Sequence, residues 1–215
     1  MQVITSDLHL GSDHCDAAGF LRFLDALPDS AELVLNGDTL DVPGVTLHGQ
    51  HADTWQRLTI EAKRRQIVWV FGNHDREGGA APDRAETYEQ YVMLDGDTLV
   101  AHGDAFDAIM PRTQWFIRWF RRLHRLRVRL GASPVHVARY AKNWAVFYRF
   151  LRHSVRNAAV DQAKQLGAKN VVCGHVHYPE HSVVDGINYF NTGCWTEENP
   201  HVVTIENGVV RLLPA

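Results

Sequence analysis

The chain has 215 residues, of which 45% are hydrophobic and 22% charged, as in globular domains that fold in water. No apolar run approaches the ~18 residues of a membrane-spanning helix, and the three cysteines lack the CxxC spacing of a metal or redox motif. We therefore expect one domain over residues 1–215 in a reducing compartment. Because the chain enters a strand-like run at once, without the charged and apolar regions of a signal peptide, we expect a cytoplasmic location.

The net charge of -3 hides a strong asymmetry along the chain. Residues 112–156 contain eleven arginines and one lysine but neither Asp nor Glu, so the rest of the chain carries a balance of -15. A basic block of this length indicates a partner that carries negative charge.

In chain order, short apolar runs typical of strands alternate with stretches of helical spacing. The strand-like runs are residues 3–4, 33–35, 67–71, 99–101 and 171–173, and the helical stretches are ~16–27, ~51–65 and ~84–91. This alternation predicts an α/β fold, in which functional groups gather at the carboxyl ends of strands. After residue 180, Asp185-Gly186 and Asn207-Gly208 predict antiparallel hairpins.

Residues of about 108–165 interrupt this alternation. Two apolar stripes at helical spacing flank a Gly-Ala-Ser-Pro turn, and arginines fall largely on the opposite side of the first stripe. The pattern predicts an inserted basic helical hairpin. The stripes are Phe116, Trp119, Leu123, Leu126 and Leu130, and then Tyr140, Trp144, Phe147, Leu151 and Val155.

Each strand-like run leads into a group of side chains that can ligate a metal ion. The groups are Asp7-Leu8-His9, Gly37-Asp38, Gly72-Asn73-His74-Asp75, His102-Gly103-Asp104 and Gly174-His175-Val176-His177. One such group is commonly a cap or a structural hydrogen-bonding group. Five in succession, each after a strand, indicate a shared site.

This ordered set of motifs resembles the calcineurin-like metallophosphoesterase superfamily. The resemblance implies a β-sandwich flanked by helices in four layers (αββα), here with the basic helical hairpin inserted as a cap. It also implies two divalent metal ions that clamp the oxygens of a phosphoryl displacement, with a bridging hydroxide as the nucleophile. The implied ligands are Asp7, His9 and His177 for one ion, Asn73, His102 and His175 for the other, and Asp38 as the bridge.

The mixture of nitrogen and oxygen ligands favours Mn, which we expect, or Zn, Fe or Co over Ca and Mg. His74 is not needed as a ligand, and beside Asn73 it is expected to face the substrate as a catalytic acid or as a stabiliser of the phosphoryl charge. Asp75 is expected to hold the His74 ring. Asp41 and Asp104 are candidates for similar support of the ligands, with a helix cap or turn as the alternative role.

A finer resemblance is to the UDP-2,3-diacylglucosamine pyrophosphatase group. It rests on the segments SDLHLG, GDTLD, GNHD, HGDAFD, GHVHYP and NTGCW. That group forms UMP and a lipid 1-phosphate at a membrane surface. Its well-known members carry Arg in place of His74, and related sequences often carry Asp in place of Cys194, so this chain is closer to the His-bearing relatives.

The insertion is expected to bind the lipid substrate and the anionic inner face of the membrane as a peripheral protein, because its helices combine arginines with aromatic residues. We assign this binding to Arg118, Trp119, Phe120 and Arg122. One alternative is a nuclease or nucleotide phosphodiesterase whose arginines bind nucleic acid, and another is a solvated basic face without a ligand. The sequence does not indicate a stable protein partner.

Overall fold

The computed structural model describes residues 1–75, 80–109, 122, 125–131 and 145–215, which form two β-sheets and three long helices. The helices are α1 (Ala17–Ala26), α2 (Gln50–Arg64) and α3 (Ala145–Gln165), and a short 3₁₀ helix covers Asp104–Phe106. The strands are β1 (Gln2–Thr5), β2 (Glu32–Asn36), β3 (Ile67–Val70), β4 (Glu86–Tyr88), β5 (Tyr91–Leu94), β6 (Thr98–Ala101), β7 (Asn170–Cys173), β8 (Glu180–Val184), β9 (Ile187–Asn191), β10 (His201–Glu206) and β11 (Val209–Pro214).

The first sheet has the strand order β11-β10-β1-β2-β3-β4 and is parallel from β1 to β4. Helices α1 and α2 cover one of its faces, because Phe20 and Leu58 pack in one buried cluster with Leu33, Leu35 and Trp69. Helix α1 begins after Asp16, whose carboxylate accepts the N–H of Gly19 as an N-cap.

The second sheet has the order β5-β6-β7-β9-β8, in which β6, β7 and β9 are parallel neighbours. Helix α3 covers its outer face through Ala159, Val160 and Ala163, which are buried against Val171 and Tyr189. The inner faces of the two sheets meet in a separate apolar cluster, to which Val34 of the first sheet and Val172 of the second belong. The described residues therefore form helix, sheet, sheet and helix layers, which confirms the predicted four-layer α/β fold.

Both predicted hairpins occur, and the turns at Asp185-Gly186 and Asn207-Gly208 each have two residues with positive φ, as tight hairpin turns require. The helix predicted at ~84–91 is wrong. The segment instead forms β4 and the start of β5, and β4 pairs with β3 at the edge of the first sheet. Its Thr and Tyr side chains favour a pleated strand, and the N–H of Phe71 donates to the carbonyl of Tyr88 at 2.9 Å.

The predicted cap falls mainly on residues outside those described. Of the range 108–165, the structure describes 108–109, 122, 125–131 and helix α3. Leu151 and Val155 of the second predicted stripe are buried against Val176, so this part of the stripe packs on the domain. Among the described residues, no helix combines the length and the apolar character that crossing a bilayer would require.

Candidate metal centre

The site lies where the loops after β1, β2, β3, β6 and β7 converge between the carboxyl ends of the two sheets. Five of its residues have left-handed backbone conformations: Asp7 (φ 54°), His9 (53°), Asp38 (53°), His175 (65°) and His177 (52°). Such conformations cost of order 1–3 kcal/mol each for residues other than glycine, although Asp and His tolerate them better than most. Strain of this kind concentrates at functional sites, and here it coincides with the predicted ligands.

Two glycines of the motifs give the carboxylates room. A Cβ atom on Gly72 would lie 2.3 Å from Oδ1 of Asp38, and one on Gly174 would lie 2.3 Å from Oδ2 of Asp7. Any larger residue would collide with these carboxylates. The glycines of GNHD and GHVH therefore let the loops pass directly against the candidate ligands.

One half of the centre combines Asp7, His9 and His177, whose ligating atoms lie within 4.8 Å of one another. Nε2 of His177 is 3.1 Å from Oδ1 of Asp7 and 3.3 Å from Nε2 of His9. Nδ1 of His9 is 3.1 Å from the Asp41 carboxylate, which accepts its proton and leaves Nε2 with a lone pair. Asp41 thus holds the ring of a candidate ligand, which is one of the two roles that the sequence left open for it.

The other half combines Asp38 and His102 with Asp7. Nδ1–H of His102 donates to the carbonyl of Asn36 at 2.9 Å, so Nε2 carries the lone pair, and it faces Oδ2 of Asp38 at 3.3 Å. The same Asp38 oxygen is 3.9 Å from Nε2 of His9. Asp38 therefore lies between the two halves, where a bridging carboxylate would be needed.

These residues fit a pair of divalent cations. With the neutral tautomers given above, Nε2 of His102 and Nε2 of His9 carry lone pairs that face Oδ2 of Asp38 at 3.3 and 3.9 Å, so a cation between these atoms would satisfy both partners. Ligand atoms bound at about 2.1 Å to one ion are about 3.0–3.5 Å apart, which is close to this spacing. The buried Nε2 of His102 has no hydrogen-bond partner, as expected for an atom that ligates a cation.

Charge within the centre is strongly coupled. Burial opposes the charged form of each carboxylate, yet His177 and His102 hold the pKa of Asp7 below its usual value, and His102 does the same for Asp38. Against the effect of burial on the imidazole, Asp38 and Asp7 raise the pKa of His102 to about 10. The buried carboxylates are thus stabilised by positive charge nearby. Either metal ions or protons on the imidazoles can provide this charge, and the two compete.

The remaining predicted ligands are placed differently. His175 packs its ring on that of His102, with centroids 5.5 Å apart, but its Nε2 bonds to the Asp107 carboxylate at 3.0 Å. Asn73 follows Gly72 at the end of the β3 loop and is exposed. The structure therefore brings Asp7, His9, Asp38, His102 and His177 together, does not place Asn73 and His175 in the same way, and leaves the ligand roles of all seven as predictions.

His74 lies at the entrance, with its side chain 32% exposed and its ring 4.8 Å from that of His9. Its backbone N–H donates to Oδ1 of Asp38 at 2.8 Å, and its Nδ1–H donates to the carbonyl of Asp41 at 2.6 Å. The expectation that Asp75 holds this ring needs correction. The two oxygens of Asp75 accept the backbone N–H groups of Gly72 and Thr39 at 2.7 and 2.8 Å, which ties two loops together, while Asp41 holds the His74 ring.

Several supporting residues were missed in the sequence. Asn36 donates from Nδ2 to the carbonyl of Ala101 at 3.1 Å, which joins the two sheets directly below the centre. Ser6 donates its hydroxyl to the Asp7 carboxylate. Cys194 brings its sulfur within 4.8 Å of ligating atoms of His177 and Glu197. The sequence had marked Cys194 only through the motif NTGCW and through the Asp that related sequences often carry in its place.

Of the residues predicted to bind substrate or membrane, Arg118, Trp119 and Phe120 lie outside the described residues. Arg122 is exposed in a helical turn. The described residues do not test these assignments, and they stay predictions.

Comparison with known proteins gives an independent view of this geometry. A family model described as calcineurin-like phosphoesterase matches residues 3–179. Among curated proteins, no sequence matches this chain.

Several solved structures are similar to the chain. Yfce, a phosphoesterase from E. coli, is 17% identical, and the match covers 97% of this chain and 90% of that chain with a TM-score of 0.50. Wild-type Vps29 from Entamoeba histolytica, complexed with zinc, is 15% identical over 100% and 97% of the two chains with a TM-score of 0.49. The nuclease MPE from Pseudomonas putida is 16% identical over 99% and 87% with a TM-score of 0.46. At these identities, the likeness to Yfce supports the fold alone.

Proposed function

Since the chain belongs to the calcineurin-like phosphoesterase family, we propose that it is a dinuclear-metal hydrolase that cleaves a phosphoanhydride or phosphodiester bond in a nucleotide-diphosphate-linked lipid such as UDP-2,3-diacylglucosamine. The observation that carries the catalytic part is the convergence of Asp7, His9, Asp38, His102 and His177 in one buried group. Two divalent ions held there would supply Lewis acidity to the phosphoryl oxygens and lower the pKa of a water nucleophile.

The protein's own groups have separate tasks in this proposal. Asp38 lies between the two halves and would hold both cations at a fixed separation. His74 would contact the substrate, because Asp41 orients its ring through Nδ1 and leaves Nε2 as the atom that can carry a proton to the leaving oxygen. Asp75 keeps the GNHD loop against the Asp38 loop and so fixes the position of His74.

The lipid part of the proposal is supported by described residues within the basic block of residues 112–156. Leu126 and Leu130 are 52% and 79% exposed and lie four residues apart, and Arg125 and Arg129 beside them are also exposed. Exposed apolar side chains between arginines are typical of helices that lie on an anionic membrane surface.

Helix α3 adds a second exposed apolar surface. Val146 and Phe150 are 86% and 64% exposed, and with Ala145 and Phe147 they line an open apolar depression on the surface. An acyl chain could bury this surface, whereas a polynucleotide backbone would use the arginines alone. The apolar lining therefore favours a lipid over nucleic acid.

A substrate panel tests the proposal. The purified protein, loaded with Mn²⁺ and in parallel with Zn²⁺, is incubated with UDP-diacylglucosamine, other nucleotide-diphosphate lipids, cyclic nucleotides and single-stranded DNA, and the products are identified. UMP and a lipid phosphate are expected. Cleavage of DNA without cleavage of the lipids, together with salt-dependent binding to DNA but not to anionic vesicles, would establish the nuclease alternative instead.

Paired kinetics test the apolar surface. Val146→Ser with Phe150→Ser should raise the KM for the diacylated substrate by about tenfold, which corresponds to about 1.4 kcal/mol of lost apolar burial. The KM for bis(p-nitrophenyl) phosphate should not change. Trp119→Ser with Phe120→Ser should act in the same direction. Val183→Ser, on an exposed position of β8 (66% exposed), is the matched control. Equal losses on both substrates would contradict an acyl-binding role.

A further inference from the structure

We propose that Asp107 is a positioning residue that fixes His175 in the Nε2–H tautomer, so that Nδ1 is the ring nitrogen offered to a metal ion. The inference rests on the proposed function only in assuming that the centre binds cations. Asp107 lies in the motif HGDAFD, five residues after His102, and it follows the 3₁₀ helix Asp104–Phe106.

The carboxylate of Asp107 is buried and held in place. Its side chain is 1% exposed, Oδ1 accepts the N–H of Ile109 at 2.9 Å, and Oδ2 lies 3.0 Å from Nε2 of His175. A buried carboxylate is costly unless it is paired or hydrogen-bonded. Because an ionised carboxylate only accepts hydrogen bonds, the contact requires a proton on Nε2 of His175.

This contact decides which atom of His175 can ligate. In neutral imidazole one nitrogen carries the proton and the other the lone pair, so a proton on Nε2 leaves the lone pair on Nδ1. Nδ1 is bonded to Cγ and therefore lies on the side of the ring nearer the backbone. The backbone N–H of His175 donates to the Asp7 carboxylate at 3.0 and 3.2 Å, which places that side of the residue next to the candidate ligands.

His175 would then differ from His9 and His102, which are held through Nδ1 and present Nε2. The arrangement of carboxylate, imidazole and metal ion is a recurrent way to orient a ligand and raise its basicity. Asp107 is also fixed from the other side, because Ile109 packs with Leu151 and Val176 in one cluster. The carboxylate is thus anchored to the start of the basic segment and to helix α3.

The substitution Asp107→Asn tests the tautomer with little change in shape. The amide oxygen can still accept from Ile109, but the amide NH₂ facing His175 donates, which selects the opposite tautomer and places the proton on Nδ1. The same logic applies to the carboxylate of a Ser-His-Asp triad. We expect metal affinity, measured by chelator competition with Zn²⁺ and Mn²⁺, to fall about 10–100-fold.

Two controls separate positioning from general damage. Asp185→Asn removes an exposed carboxylate that pairs with Lys164 at 2.6 Å, and it should leave metal affinity unchanged. A double-mutant cycle adds Asp107→Asn to His175→Ala, where no further loss is expected if Asp107 acts through His175. Unchanged metal affinity in Asp107→Asn, or a full additional loss in the double variant, would overturn the proposal.

A spectroscopic measurement on the unmodified protein does not depend on how the variants fold. Long-range ¹H–¹⁵N correlation spectra of the Zn²⁺-loaded protein, with His175 assigned through His175→Gln, should show Nε2 protonated and Nδ1 unprotonated. A protonated Nδ1 would refute the proposal. Failure of every lipid in the substrate panel would refute the proposed substrate but would leave this tautomer result untouched.

Discussion

Two groups of buried carboxylates in this molecule are neutralised by different kinds of partner. On helix α2, Glu61 has a fully buried carboxylate that bonds to Arg57 at 2.9 Å, Arg65 at 2.5 Å and Arg64 at 3.3 Å. At the loop ends of the sheets, Asp7 and Asp38 are equally buried but face imidazoles. The first carboxylate is neutralised by guanidinium groups, and the second pair by groups that can also ligate.

The difference lies in what each partner can become. Arginine stays protonated in proteins and has no lone pair for a metal ion, so the arginines around Glu61 cannot release a proton and bind a cation instead. Imidazole can release its proton and then bind a cation. Buried carboxylates whose imidazole partners can exchange a proton for a cation therefore distinguish the candidate metal centre. A buried carboxylate whose partners are permanently charged guanidinium groups indicates a structural network. Substitutions in the two groups should consequently affect different properties.

The largest effect is expected at Asp38, because one carboxylate would serve both ions. Asp38→Ala should bring turnover below detection. It should also lower metal affinity by more than about 100-fold, because the loss of a group that only orients a ligand already costs up to that much. The protein should stay folded, as judged by circular dichroism, and elemental analysis should find fewer than two metal ions per chain. Two retained ions together with normal turnover would contradict the dinuclear assignment.

A smaller effect is expected at His74, which touches the centre but is not required to hold it. His74→Ala should lower kcat by about 10²–10⁴-fold, the usual contribution of a positioned acid or base, while both metal ions stay bound. His181→Ala is the matched control, since the His181 ring lies on β8 and stacks on Phe190 of β9, away from the centre. A loss of metal in His74→Ala would show that His74 is a ligand.

The sequence predicted much of the candidate metal centre but nothing of the Glu61 group. Asp7, His9, Asp38, His102 and His177 each follow a strand, so the strand and loop pattern alone brought them to one edge of the fold. The hairpins were predictable because Asp-Gly and Asn-Gly favour positive φ. In each case the signal was local, within a few residues of the side chain concerned.

The contacts that hold the candidate ligands are not local, and apart from that of Asp41 with His9 they were missed or wrong. Asn36 and His102 are 66 residues apart, and Asp107 and His175 are 68 apart. Asp75 was expected to hold the neighbouring His74, but it bonds to Thr39 on another loop. The Glu61 network was also not predicted. Arginines three or four residues from a Glu on a helix are typical of a solvent-exposed face, and only the packing of α2 shows that Glu61 is buried.

The Glu61 group should respond in stability instead of activity. Glu61→Gln leaves Arg65, whose side chain is 3% exposed, without its carboxylate, and breaking one partner of a buried pair costs about 3–5 kcal/mol. We expect the free energy of unfolding at pH 7, measured by urea denaturation with EDTA, to fall by about 3 kcal/mol. Metal affinity and kcat should not change. Glu206→Gln, at an exposed position on β10, is the control.

Acidification should remove this difference between the wild type and Glu61→Gln. Burial opposes ionisation of Glu61, but the hydrogen bonds from Arg57 and Arg65 prevail and hold its pKa below the ordinary value of 4.5. A carboxyl group with a lowered pKa in the folded state stabilises the protein fully above its unfolded pKa. That contribution is lost as the pH falls through the folded value. The gap in unfolding free energy should thus be complete at pH 7 and shrink below about pH 4.5. A gap that is constant down to pH 3 would mean that the carboxylate charge is not what the arginines recognise.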